Sequence, residues 1–171
     1  MTDSLPIATL KDMVRQHLPM RATALRLTPV RTGQHNASYW VHSDHGRSVL
    51  RVAPPDDAGF LFHERHMMRR EPALHELIRR RTTIPVANVI AADFSRTLID
   101  RDFLLLTALP GMPLSDVASL GGSMTRRAHQ QVGGYLRQLH GLTAPECLGV
   151  DAYGYLGAHC PMTPQSTWWA R

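Results

Sequence analysis

Two strand-like runs closed by a short turn constrain this chain more than any other feature. Ser38 to His42 is aromatic and β-branched, Asp44-His45-Gly46 supplies turn residues, and Ser48 to Ala53 (SVLRVA) returns as a strand. So short a connection joins antiparallel neighbours, because a parallel pair needs a long crossover. The rest of the chain must extend or cover this hairpin.

The flanking patterns extend it. Ala24 to Val30 alternates weakly and predicts a strand ahead of the hairpin. Ala87 to Phe94 and Phe103 to Leu109 predict two more, around a polar turn from Ser95 to Asp102, with Pro110-Gly111 ending the second. Ile7 to Leu18 reads as a short amphipathic helix with Ile7, Leu10, Met13, Val14 and Leu18 on one face. Phe60 to Arg81 has helical spacing interrupted by Pro72, which predicts two helices with Pro72 in the first turn of the second. Ser123 is the expected cap of a helix running to His140, with Met124, Ala128, Val132, Leu136 and Leu139 facing inward and Gly141 as its stop. Beyond Thr143 no period is visible. The order predicts an α+β fold, an antiparallel five-stranded sheet packed by one helix.

Composition narrows the class. A chain of 171 residues that is 43% hydrophobic can bury a core in one domain or one and a half, which excludes global disorder. The net charge of +5 is carried almost wholly by arginine, Lys11 being the only lysine. The arginines are scattered, as on solvated faces, and form no basic block for nucleic acid. Cys147 and Cys160 form no CxxC pair, which fits a reducing cytoplasm. No signal-peptide pattern and no span-length apolar stretch is present, so no membrane partner is expected.

Several phrases occur in an order that resembles the aminoglycoside phosphotransferase family, whose fold is similar to that of protein kinases. These are the loop GQHNASYWV, the strand SVLRVAPP, Arg70-Glu71 opening MRREPALHEL, TTIPVANVIAADF, DFLLLTALPGMPL, LRQLHGL and CLGVDAYGYLG with the final TWW. The resemblance implies a kinase-like nucleotide-binding N-lobe at residues 1–109, and a hinge with the truncated start of a C-lobe at 110–171. It implies that Gly33, His35, Asn36 and Ser38 cover the nucleotide phosphates. Arg51 stands at the family's phosphate-holding cation, and Glu71 at its partner acid, with Glu64 as the fallback. The Thr107 carbonyl and Leu109 N–H would meet the purine edge, with Leu106 as gatekeeper.

The family's catalytic loop reads HGDxxxxN and a later aspartate holds Mg²⁺. Three stretches imitate these motifs. His140-Gly141 is followed by Leu142, and Cys147 fills the asparagine slot. His42-Ser43-Asp44 has the acid, but Val49 fills that slot within a hairpin. Ile99-Asp100-Arg101-Asp102 looks like a metal motif but precedes a strand and reads as a solvated turn. His63-Glu64-Arg65-His66 lacks the HExxH spacing of a zinc site. No catalytic or metal residue is therefore assigned.

The resemblance implies a small-molecule phosphotransferase that moves the γ-phosphate of ATP or GTP to a substrate hydroxyl, present as a truncated N-terminal portion without the catalytic motifs. Mg²⁺ is expected for the complete family, with its ligands missing here. A hydroxyl acceptor is expected only with a complete C-lobe. Exposed Trp168 and Trp169 would favour self-association. The alternative is a non-catalytic nucleotide-binding or interaction module.

Overall fold

The structure, a computed structural model, describes residues 5–18, 24–30, 36–55, 67–117 and 121–142. They divide into two compact units. One runs to His75 and resumes from Pro85 to Pro110; the other takes Glu76–Ile84 and the chain from Gly111 onward.

The first unit contains α1 (Ile7–His17), β1 (Arg26–Val30), β2 (Ala37–Ser43), β3 (Gly46–Val52), a 3-10 turn at Met67–Arg70, the start of α2 (Glu71–Arg81), β4 (Val89–Asp93) and β5 (Phe103–Thr107). All five expected strands form one sheet in the order β1-β2-β3-β5-β4, and every neighbouring pair is antiparallel. The β2–β3 turn is built by its residues. Gly46 takes φ +102°, a left-handed conformation that side chains disfavour. The Ser43 hydroxyl accepts the His45 N–H and donates to the Gly46 carbonyl, both at 3.2 Å.

Alternation along the strands gives the sheet two apolar faces. Leu27, Tyr39, Val41, Leu50, Val52, Phe103 and Leu105 lie on one, packed by Leu10, Met13 and Val14 of α1. Leu104 and Leu106 lie on the other, with Met68 of the 3-10 turn. The sheet is thus packed on both sides, not by one helix alone. β5 lies between β3 and β4, and its residues Phe103 to Leu106 are all buried, the pattern of a strand covered on both faces.

Several boundaries differ from expectation. β5 ends at Thr107, so Leu109 lies beyond the strand. On α1 the buried stripe is Leu10, Met13 and Val14, while Ile7, the first helical residue, is 54% exposed. Between Val89 and Ala91 the β4 register slips by one residue. The bulge lets Val89 and Ala91, two apart, pack against opposite cores. Pro72 sits in the first turn of α2, where its missing N–H costs nothing.

In the second unit, Thr82 closes α2. Its N–H and hydroxyl both donate to the Ile78 carbonyl, at 2.9 and 2.6 Å, and its hydroxyl accepts the Ile84 N–H at 3.2 Å. A second 3-10 turn, Leu114–Asp116, precedes α3 (Gly122–His140). The Gln138 side-chain oxygen accepts the Thr83 N–H at 2.7 Å. Gly121, not Ser123, is the N-cap of α3, and it has no side-chain cap bond. Nor does α3 bury the stripe read from its spacing: Met124, Val132 and Leu136 are exposed. Helical periodicity specifies an apolar face but not an element to cover it.

Leu50, with no exposed surface, faces Tyr39 and Leu105 across the middle of the sheet. Leu50→Ala is expected to destabilise the chain by about 2–5 kcal/mol, the cost of lost transfer energy plus a cavity. Urea unfolding checks this; a loss below about 1 kcal/mol would contradict the packing described.

Candidate functional site

The face of the sheet opposite α1 carries Arg51 and Asp102. Arg51 lies there because it alternates with Leu50 and Val52, which point into the α1 core. In register it is flanked by Ser38 on β2 and Leu104 on β5. Glu71 opens α2, and its Oε2 accepts a hydrogen bond from Arg51 Nη1 in an ion pair. Both side chains are about three-quarters shielded, at 27% and 21% exposed. A pre-proline residue avoids helical interior geometry, and the helix start puts this carboxylate over the β3 cation. For Arg51, Glu71 is the only hydrogen-bonding partner found among the described residues. Among the described residues, that bond uses one of the five guanidinium N–H donors.

The edge beyond β5 is also prepared. Residues 102, 104, 106 and 108 alternate toward β3, as the Ala53 N–H to Asp102 carbonyl bond (2.9 Å) and the Ala108 N–H to Arg47 carbonyl bond (3.3 Å) show. Thr107 faces the other way, and its N–H donates to the Asn88 carbonyl at 2.9 Å. The reciprocal bond is diverted: the Asn88 N–H goes to the Thr107 hydroxyl, also at 2.9 Å. Among the described residues the Thr107 carbonyl and the Leu109 N–H therefore have no hydrogen-bond partner. A backbone acceptor and donor two residues apart stand open at the end of the strand.

A third charged group sits at the head of β5. Asp102 is only 2% exposed. Arg69 grips it through both oxygens, Nε to Oδ2 at 2.7 Å and Nη2 to Oδ1 at 2.9 Å. Arg96 adds Nε to Oδ1 at 3.0 Å. Arg69 also lies over the Phe94 ring, 5.6 Å from its centroid. Burial alone would raise the Asp102 pKa, but the hydrogen bonds and charges of the two arginines outweigh it and hold the carboxyl below its usual range. The expectation of a solvated turn is thus corrected: Asp100 is solvated, with 98% of its side chain exposed, and Asp102 is not. Strand parity contained the signal. Asp102 shares the phase of Leu104 and Leu106, so it had to point to a covered face.

The model of the phosphotransferase enzyme family APH matches residues 26–158. The chain belongs to this family. Comparison with curated proteins gave no match. Among solved structures it is similar to a protein of Ralstonia eutropha JMP134 assigned as an aminoglycoside phosphotransferase, with a TM-score of 0.63 and 18% identity over 88% of this chain. That likeness speaks for the fold, and this chain spans 42% of that protein's length. A kinase-like N-lobe accounts for the five-stranded sheet and the helix start carrying Glu71.

Of the residues singled out as a phosphotransferase site, Arg51 and Glu71 meet, Ser38 stands beside Arg51, and Asn36 immediately precedes β2. Thr107 and Leu109 lie at the β5 edge. Gly33, His35, Glu64, Cys147, Cys160, Trp168 and Trp169 lie outside the described residues, as does the His63–His66 stretch. Among the described residues no group of three His, Cys, Asp or Glu is placed to hold a metal ion, and no helix is long and apolar enough to cross a membrane.

Asp102 makes a pH prediction. Its pKa is depressed in the folded state, so its contribution is full above the unfolded value of about 3.9 and is lost as pH falls through the lower folded value. Asp102→Asn is expected to cost about 2–3 kcal/mol at neutral pH, since two arginines lose a charged acceptor. The gap between the variant and the parent should narrow as pH falls below the ordinary carboxylate range. Urea unfolding between pH 2.5 and 7 checks this, and a gap that stays constant across that range would contradict it.

Proposed function

We propose that this chain supplies the nucleotide-binding part of a small-molecule phosphotransferase, which moves the γ-phosphate of ATP or GTP to a substrate hydroxyl. The Arg51–Glu71 ion pair carries this reading. A guanidinium stays protonated across the physiological range and can grip phosphate oxygens as a fork. Glu71 fixes its orientation through one nitrogen. Gly33, His35, Asn36 and Ser38 would lie over the phosphates, where backbone N–H groups can bind an anion. The open Thr107 carbonyl and Leu109 N–H would read the purine edge, with Leu106 against the ring. Phosphoryl transfer depends on such positioning and charge stabilisation more than on covalent help from the protein.

The family is expected to use Mg²⁺, which would neutralise phosphate charge. The described residues supply no ligand set for it, and no step is assigned to it here. No residue of this chain is assigned as the base for the acceptor hydroxyl. A second reading is a nucleotide-binding module without transfer: none of the three stretches that imitate the family's catalytic and metal motifs carries the full motif.

Thermal melting with ATP or GTP, with and without Mg²⁺, tests both readings. Nucleotide at a hundred times Kd should stabilise by about 2.7 kcal/mol, a rise of about 5–10 °C in Tm. Arg51→Ala and Glu71→Gln should each weaken nucleotide affinity about tenfold or more. Stabilisation without phosphate release or transfer to any hydroxyl acceptor would select the module. No shift with any nucleotide would refute both.

A further inference from the structure

Asp102 bonds to both segments carrying the ion pair. Its carbonyl accepts the Ala53 N–H at 2.9 Å, two residues beyond Arg51 on β3. Its carboxylate holds Arg69 through two bonds of 2.7 and 2.9 Å, two residues before Glu71. Met68, the neighbour of Arg69, packs on Leu104 and Leu106 of the same strand. Among the described residues, the packing of Met68 and the buried Asp102 carboxylate anchor the 3-10 turn that delivers Glu71 to β5. The anchoring group is charged where an apolar contact would be cheaper, since ion burial is repaid only with good geometry. A fork held at both oxygens fixes direction as well as distance, which packing of Met68 alone does not.

We propose that Asp102 is a positioning residue for the nucleotide site: through Arg69 it sets where Glu71 stands, and so how Arg51 is aimed. Arg96 holds the same carboxylate from the β4–β5 turn, 3.0 Å away, and keeps it oriented when Arg69 is engaged. Arg96 itself takes φ +59°, a left-handed backbone unusual for a residue with a side chain, while its guanidinium reaches Asp102. The role in nucleotide binding rests on the function proposed above; the positioning of the ion pair does not.

The experiment has two arms on the full chain. In the first, without nucleotide, urea unfolding of Arg51→Met, Glu71→Gln and the double variant gives the coupling between the pair. The expected coupling is about fivefold in the unfolding equilibrium constant. It should fall to about onefold when the cycle is repeated in Asp102→Asn. Arg69→Gln, which leaves the Asp102–Arg96 pair intact, should have the same effect and serves if Asp102→Asn does not fold. Coupling that survives both changes overturns the proposal. In the second arm, ATP affinity is titrated. Asp102→Asn should weaken it about tenfold, as Glu71→Gln does, and the combined variant should be no weaker than Glu71→Gln alone. Additive losses would mean a merely structural role and overturn the nucleotide part. If the parent chain binds no ATP while the first arm comes out as expected, the functional reading fails and the positioning role stands.

Discussion

Phe103 to Leu106 put four consecutive apolar side chains on a strand flanked by β3 and β4. Such a strand cannot leave either face to water, so it demands cover on both sides. α1 supplies one cover through Leu10, Met13 and Val14. Among the described residues, the other is Met68 with partly buried neighbours around Leu104 and Leu106. The same face also carries charged groups. Arg51 and Asp102 occupy it because strand parity puts them there, and each must then be paired to tolerate its shielding.

The two pairs differ in kind. Asp102 is enclosed and saturated by two guanidinium groups, so it is built for permanence. Arg51 is partly open and engages Glu71 through one nitrogen, which leaves capacity for a further anion. One lobe thus holds a closed electrostatic lock and an open electrostatic clamp. The first lies at the head of β5 and the second one strand away, on β3.

Much of this was legible in the sequence, where local chemistry decides the outcome. The hairpin followed from Asp44-His45-Gly46, and the start of α2 followed from Pro72. The Arg51 to Glu71 correspondence was carried by motif order, since twenty residues of sequence separation say nothing about contact. The bulge in β4 was not legible: VIAAD has no signal that Val89 and Ala91 serve opposite faces, because period-2 reasoning assigns them to one. The exposed α3 stripe has a related cause, since spacing reports amphipathicity and not its partner. The burial of Asp102 runs against the rule that acids beside a turn meet water; only its phase with Leu104 and Leu106 points the other way. The diverted bond from Asn88 to the Thr107 hydroxyl depends on a rotamer, which no sequence pattern encodes.

Arginine at position 51 has a chemical consequence of its own. A guanidinium is a poor nucleophile because it does not shed its proton at accessible pH. Reagents that acylate or sulfonylate an amine need an uncharged nitrogen, and the sole lysine is Lys11, on α1 against the opposite face of the sheet. At the proposed nucleotide site, an amine-directed analogue would find a guanidinium at position 51 and no lysine amine to capture.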